Sequence, residues 1–154
     1  DLLRHPTNDI TFCKFNGISE SLIIGACHAP TASDNLDIRK SFFSTLSSTI
    51  QDYGPNCNLL MFGDFNSKKS GVGVNKSTDR NYPLFANLLS ECTLVSANEC
   101  FNVTEPSFLS NQGMSTVDDL LFFPHFEDMI SWEILDSVET WSDNERHQCG
   151  HDDT

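Results

Sequence analysis

The sequence predicts a layered α/β or α+β domain. Three observations lead there: apolar runs of strand length, two apolar stripes at helical spacing, and their order along the chain, which is strand, strand, helix, strand, helix, strand, strand. A chain of 154 residues is long enough for one domain around one core. Hydrophobic residues make up 38% of it and Phe alone contributes 12, so it folds rather than staying disordered.

Residues 10–15 (Ile-Thr-Phe-Cys-Lys-Phe) alternate like a half-buried strand, and Asn16-Gly17 supplies a two-residue hairpin turn. Residues 21–28 read as the more deeply buried return strand, ended by Pro30, which cannot donate to a ladder. Ser33 and Asp34 are N-cap candidates for a helix over 34–53. Its stripe is Leu36, Phe43, Leu46, Ile50 and Tyr53, and Gly54-Pro55 stops it. Residues 57–63 form an apolar strand that runs into Asp64. A Gly-, Ser- and Lys-rich loop over 66–80 follows. A second helix over 82–92 starts at Asn81 and Pro83 and turns Leu84, Leu88 and Cys92 inward. Leu94-Val95-Ser96 is a short strand and residues 99–114 are irregular. Strands are expected at 116–123 and 132–135, the first carrying Asp118 and Asp119 near its start. The expected core includes Leu59, Met61, Phe43, Leu46, Leu88 and Leu121. The tail from residue 144 is polar and expected to be disordered, which leaves 1–143 as the domain.

Composition narrows the function. No apolar run approaches a membrane span, and no signal peptide is present. The six cysteines form no tight framework and several lie in strand-like runs, so buried free thiols in a reducing, intracellular setting, nuclear or cytoplasmic, are expected. The chain opens on Asp1 rather than Met, which reads as a start inside a larger reading frame. A net charge of −13 opposes binding to polyanions, yet Lys68, Lys69, Lys76 and Arg80 make the 67–82 loop locally basic. That loop is either a solvated surface or a nucleic-acid contact. In the tail, His147-x-Cys149-x-His151 lacks the second ligand pair that a structural zinc site needs.

The most informative segment is Leu59-Leu60-Met61-Phe62-Gly63-Asp64-Phe65-Asn66. A buried strand delivers a carboxylate and, two residues on, a carboxamide, at the strand end where layered α/β sheets gather ligands. Asp ligates hard cations, Asn donates to phosphate oxygens, and Gly63 would let the backbone approach a phosphate. Taken alone, the same residues also suit the start of a turn.

Four segments in order resemble the endonuclease/exonuclease/phosphatase superfamily, which includes abasic-site endonucleases, deoxyribonuclease I and non-LTR retrotransposon endonuclease domains. They are His28-Ala29-Pro30-Thr31, Gly63-Asp64-Phe65-Asn66, Ser115-Thr116-Val117-Asp118-Asp119-Leu120-Leu121 and Trp141-Ser142-Asp143-Asn144. The match spans residues 10–144, and its style is closest to the retrotransposon branch, associated with reverse transcriptase. The resemblance implies a deoxyribonuclease I-like layered sandwich, of which this chain is the C-terminal half, and Mg²⁺- or Mn²⁺-dependent hydrolysis of DNA phosphodiesters. It implies that Asp64 orients or activates the attacking water or helps hold the metal, and that Asn66 binds the scissile phosphate. It gives Asp118 the orienting of the family's histidine and Asp143 a place in the metal site. His28 stands where a phosphate-contacting Tyr is usual.

Two departures bear on activity. The family's histidine after Asp143 is replaced by Asn144, which cannot exchange a proton near neutral pH. The earlier half of the fold, with its Asn and Glu metal-site residues, is missing. Activity is therefore expected to be weak or absent in the isolated chain. Two alternatives stand beside it: a same-fold phosphatase or RNA nuclease, or a non-catalytic remnant or binding module.

Overall fold

The computed structural model describes residues 2–4, 9–17, 21–53, 57–111 and 113–132. A six-stranded sheet dominates it. In chain order the strands are β1 (Leu2–Arg4), β2 (Ile10–Asn16), β3 (Ser21–His28), β4 (Cys57–Asp64), β5 (Val95–Ser96) and, after two strands of a separate hairpin, β8 (Asp118–Phe122). Their order across the sheet is β1-β2-β3-β4-β8-β5, and only β3 and β4 pair in parallel. That parallel pair needs a crossover, supplied by helix α1 (Leu36–Tyr53). Helix α2 (Tyr82–Cys92) packs beside α1 on the same sheet face. A short helix α3 (Ala97–Cys100) follows β5, the hairpin pairs β6 (Phe108–Ser110) with β7 (Gly113–Ser115), and a 3-10 helix runs over Pro124–Met129.

All six expected core residues are buried, Leu46, Met61 and Leu121 completely. The main cluster joins α1 and α2 to alternate residues of β2, β3, β4 and β8, as the two-residue period of strands requires. The opposite sheet face carries Leu22, Ile24, Leu60, Phe62, Leu120 and Phe122. A second cluster built on α3, with Phe101, Phe126 and Trp132 packed against it, covers Leu120 and Phe122. Phe62 stays 38% exposed, and Phe15 in β2, on the same face, stays 52% exposed. A parallel pair with near-continuous apolar runs usually has both faces covered. Over β3 the described residues cover one, while on β4 the second cluster meets Leu60 and Trp132 lies beside Phe62, with ring centroids 6.5 Å apart.

Several local expectations are corrected. Asn16 pairs with Ser21 across the ladder, so the β2–β3 connection takes four residues and Asn16-Gly17 is not a two-residue turn. Helix α1 is capped by neither Ser33 nor Asp34: Asn35 Oδ1 accepts the Asp37 N–H at 2.7 Å, while the Asp34 carboxylate takes the N–H and hydroxyl of Thr31. Leu36 is exposed, and the buried face of α1 holds Arg39 instead. Residues 116 and 117 precede β8 rather than belonging to it. The stretch 99–114, expected to be irregular, contains the end of α3, β6 and the start of β7. Of the strand expected at 132–135, Trp132 is in no strand and the rest lies outside the described residues, as does the tail. Among the described cysteines Cys13, Cys27, Cys92 and Cys100 are free thiols, with Cys27 and Cys92 buried. No helix among the described residues is long and apolar enough to cross a membrane.

Candidate active site

Because β3 and β4 run parallel, their carboxyl ends reach the same sheet edge, and antiparallel β8 begins there. The ladder sets Asp64 directly opposite Asp118 on one side and in register with His28 on the other. Directly paired side chains share a face, so these three stand together on the face away from α1 and α2. His28 Nε2 lies 3.9 Å from Asp64 Oδ2, with the imidazole largely in solvent.

Asp64 is held by the turn it starts. The Asn66 N–H donates to Asp64 Oδ1 at 2.7 Å, an Asx-type turn. Asn66 has φ 45°, in the left-handed region that Asn tolerates better than most residues. Its carboxamide donates to the Ala29 carbonyl at 2.7 Å and so ties the end of β4 to the end of β3. Burial pushes the Asp64 carboxyl above its ordinary range. The Asn66 N–H opposes that shift, the Asp118 charge adds to it, and His28 and Lys68 oppose it. A Cβ at Gly63 would lie 2.2 Å from the carbonyl oxygen of Cys27, so the glycine serves the close approach of β3 and β4.

Strand alternation separates the two adjacent acids of β8. Asp118 faces Asp64, and its backbone is fixed from both sides. Ser107 Oγ accepts the N–H groups of Val117 and Asp118 at 3.0 Å, and Asn98 Nδ2 donates to the Asp118 carbonyl at 2.7 Å. Asp119 turns to the other face and is buried. It accepts Ser96 Oγ–H at 2.5 Å, the Asn98 N–H at 3.0 Å and the Leu120 N–H at 2.9 Å. Burial pushes its carboxyl up to about 7 against the pull of those three donors. Asp119 therefore fastens α3 to the sheet, a role that side-chain composition alone does not reveal.

The basic loop divides. Lys69 Nζ pairs with Glu99 at 2.6 Å and sits 5.5 Å from the Tyr82 ring centroid, so its charge is already engaged. Lys68 and Lys76 line an open groove of about 620 Å³ whose far side includes Met114 of β7. Arg80 is exposed. The β6–β7 hairpin, not singled out from sequence, exposes Phe108, Leu109 and Met114. Asn75, within the loop, is buried and grips both the N–H and the carbonyl of Thr116. Asp143, Asn144 and His147 lie outside the described residues, so the expected convergence of Asp143 on Asp64 falls there too. Among the described residues no group of three or more His, Cys, Asp or Glu side chains is gathered to hold a metal.

No family profile matches the sequence, and no curated protein matches it. Solved structures do. The endonuclease domain of TRAS1, a telomere-specific non-LTR retrotransposon, superposes with TM-score 0.64 at 19% identity, over 86% of this chain and 59% of that one. The 3′ phosphatase NExo from Neisseria, solved with a product DNA hairpin, gives TM-score 0.61 at 12% identity, over 80% and 55%. The human Nocturnin catalytic domain, solved with a sulfate anion, gives 0.51 at 20% identity, over 77% and 43%. The chain thus spans less than two thirds of each of these structures. At these identities the likeness is one of fold: the mixed α/β fold described above is what the three structures share with this chain.

Proposed function

We propose that this chain is part of a metal-dependent phosphodiester hydrolase acting on DNA in the manner of a retrotransposon endonuclease, and that it contributes the Asp64–Asp118 side of the active site. The pairing of these two carboxylates across the β4–β8 ladder, beside His28, carries the reading. The donor set suits a hard cation such as Mg²⁺ or Mn²⁺: two carboxylates face each other, and Asp64 has its charge disfavoured by burial and by Asp118. Two carboxylates fall short of a full ligand set. Asp143 and the part of the fold that this chain lacks would supply the rest. When bound, such a cation polarises the phosphoryl oxygen and stabilises the leaving oxygen.

The chain's own residues divide the remaining work. Asp64, oriented by the Asn66 N–H, holds the attacking water or the cation through the oxygen that the turn leaves open. Asn66 keeps its carboxamide oxygen and second N–H hydrogen at the strand edge, where the latter can donate to the scissile phosphate. His28 faces the same edge and offers a second phosphate contact. Lys68, Lys76 and Arg80 attract the polyanion, and the hairpin's exposed Phe108 and Met114 offer apolar contact to bases. The exposed part of that sheet face, at Phe15 and Phe62, is where a further layer of the fold would pack. An acting site on nucleic acid in the nucleus or cytoplasm follows from the same reading.

The experiment is Mg²⁺-dependent nicking of supercoiled plasmid. The 154-residue chain is expected to nick little or not at all. Asn144 cannot do the histidine's proton chemistry, and positioning carries much of the rate in phosphoryl transfer. The protein extended through its upstream reading frame and carrying Asn144→His is expected to nick, and Asp64→Ala to abolish that. Robust nicking by the unextended chain, lost in Asp64→Ala, would show that the departures weigh less than argued. A silent extended protein would point to another phosphoester or to a non-catalytic module.

A further inference from the structure

Arg39 is a buried cation with no ion pair among the described residues. It is 5% exposed, on the inward face of α1. Its guanidinium donates to three neutral acceptors: the Asp34 carbonyl at 3.1 Å, the Arg80 carbonyl at 3.1 Å and Asn81 Oδ1 at 3.2 Å. A buried charge held only by dipoles is costly, so its partners are informative.

Asn81 is fully buried at the N-cap position of α2, yet its side chain does not cap the helix. Asp79 does that instead, accepting the N–H groups of Asn81 and Tyr82 at 2.9 and 3.0 Å. The Asn81 carboxamide is thereby released to reach back to the sheet edge. Its Nδ2 donates to the Pro30 carbonyl at 2.7 Å and to the Asn66 carbonyl at 2.9 Å. Guanidinium only donates, so Arg39 fixes Oδ1 as the atom facing it and turns both amide hydrogens onto the two carbonyls. Nothing smaller, and no carboxylate, can serve all three partners.

The two carbonyls belong to the segments that follow β3 and β4. Asn66 is the left-handed residue whose own N–H holds Asp64 Oδ1. Its peptide orientation on one side sets Asp64, and on the other side it is set by Asn81. We propose that Asn81, aimed by Arg39, is a positioning residue for the Asp64 carboxylate, acting through the Asn66 turn. The inference rests on the proposed role of Asp64 for its functional meaning, but the coupling itself is physical and can be measured without turnover. The signals that depend on it are the exchange rate and the chemical shift of the Asn66 amide, whose N–H bonds Asp64 Oδ1.

The test is NMR on the 154-residue chain, comparing Asn81→Ala and Asn81→Ser with Ser47→Ala. Ser47 makes a buried polar link from α1 to Glu91 away from the site, so it controls for general loss of stability. With Asn81→Ala, the Asn66 amide is expected to exchange roughly tenfold faster, the ratio implied by one net hydrogen bond. The Asn66 amide proton should also move upfield, because its hydrogen bond to Asp64 Oδ1 is loosened. Asn81→Ser keeps one donor and should move both signals the same way by less, and it serves where the alanine variant does not fold. Ser47→Ala should leave both signals in place relative to core amides of β4. If the Asn81 variants leave the Asn66 amide no more perturbed than Ser47→Ala does, the positioning role is refuted. A failure of the functional reading shows separately, as nicking that is indifferent to Asp64→Ala.

Discussion

Gly63→Ala isolates the packing that places the edge carrying Asp64. The added methyl would sit 2.2 Å from the Cys27 carbonyl oxygen and 2.8 Å from Cys27 Sγ, while real Cβ contacts essentially never fall below 3.0 Å. Relieving the closer contact means opening β3 from β4 by the difference, 0.8 Å. The obstacle is backbone, so no rotamer change relieves it. Overpacking of a tight interior costs about 1–3 kcal/mol, and stretching one or two ladder hydrogen bonds adds about 1 kcal/mol each. The expected loss is therefore about 2–4 kcal/mol, a large share of the ~5–15 kcal/mol that stabilises a typical domain. Urea unfolding followed by tryptophan fluorescence measures it as a fall in midpoint at unchanged slope. The double variant with Cys27→Ala separates the two contacts: removing Sγ leaves the carbonyl in place, so the cost should persist. A loss below about 0.5 kcal/mol, or full rescue by Cys27→Ala, would refute the claim that backbone proximity demands this glycine.

Two further outcomes follow from burial and charge. Leu46, fully buried where α1 meets the sheet, should cost about 2–5 kcal/mol as Leu46→Ala in the same unfolding assay, and a loss under about 1 kcal/mol would mean that α1 packs loosely. Asp119 has its folded-state carboxyl raised from 3.8 to about 7, so between those values the folded chain keeps a proton that the unfolded chain has released. Stability should then fall as pH rises from about 4 to 7, by about 1.4 kcal/mol for each unit actually realised. Asp119→Asn can keep both backbone acceptor bonds through its carbonyl oxygen and donate to Ser96 Oγ. It should flatten that slope in unfolding midpoints taken across the window, and an unchanged slope would assign it to another group.

The sequence by itself determined most of the layout. Helical stripes and strand runs are local signals, and they placed α1, α2, β2, β3 and β4 within a few residues and named core positions such as Leu59, Met61 and Leu121. It also singled out Asp64 and Asn66, because polar residues at the end of an apolar run stand out against their surroundings, and the family resemblance added Asp118. The tertiary structure decided what those residues face. Asp118 and Asp119 are chemically identical neighbours, and only the β4–β8 register puts the first opposite Asp64 and turns the second to the other face, where it bonds Ser96 and the Asn98 N–H. Lys69 looked like its loop companions until folding brought Glu99, thirty residues on, to within 2.6 Å. The helical stripe passed over Arg39, and Asn81 read only as the start of a helix. Both are buried because carbonyls from three distant segments turn toward them. Periodicity reports which side of its own element a residue lies on. Partners across elements are set by register and by the closing of long loops, and no local pattern records those.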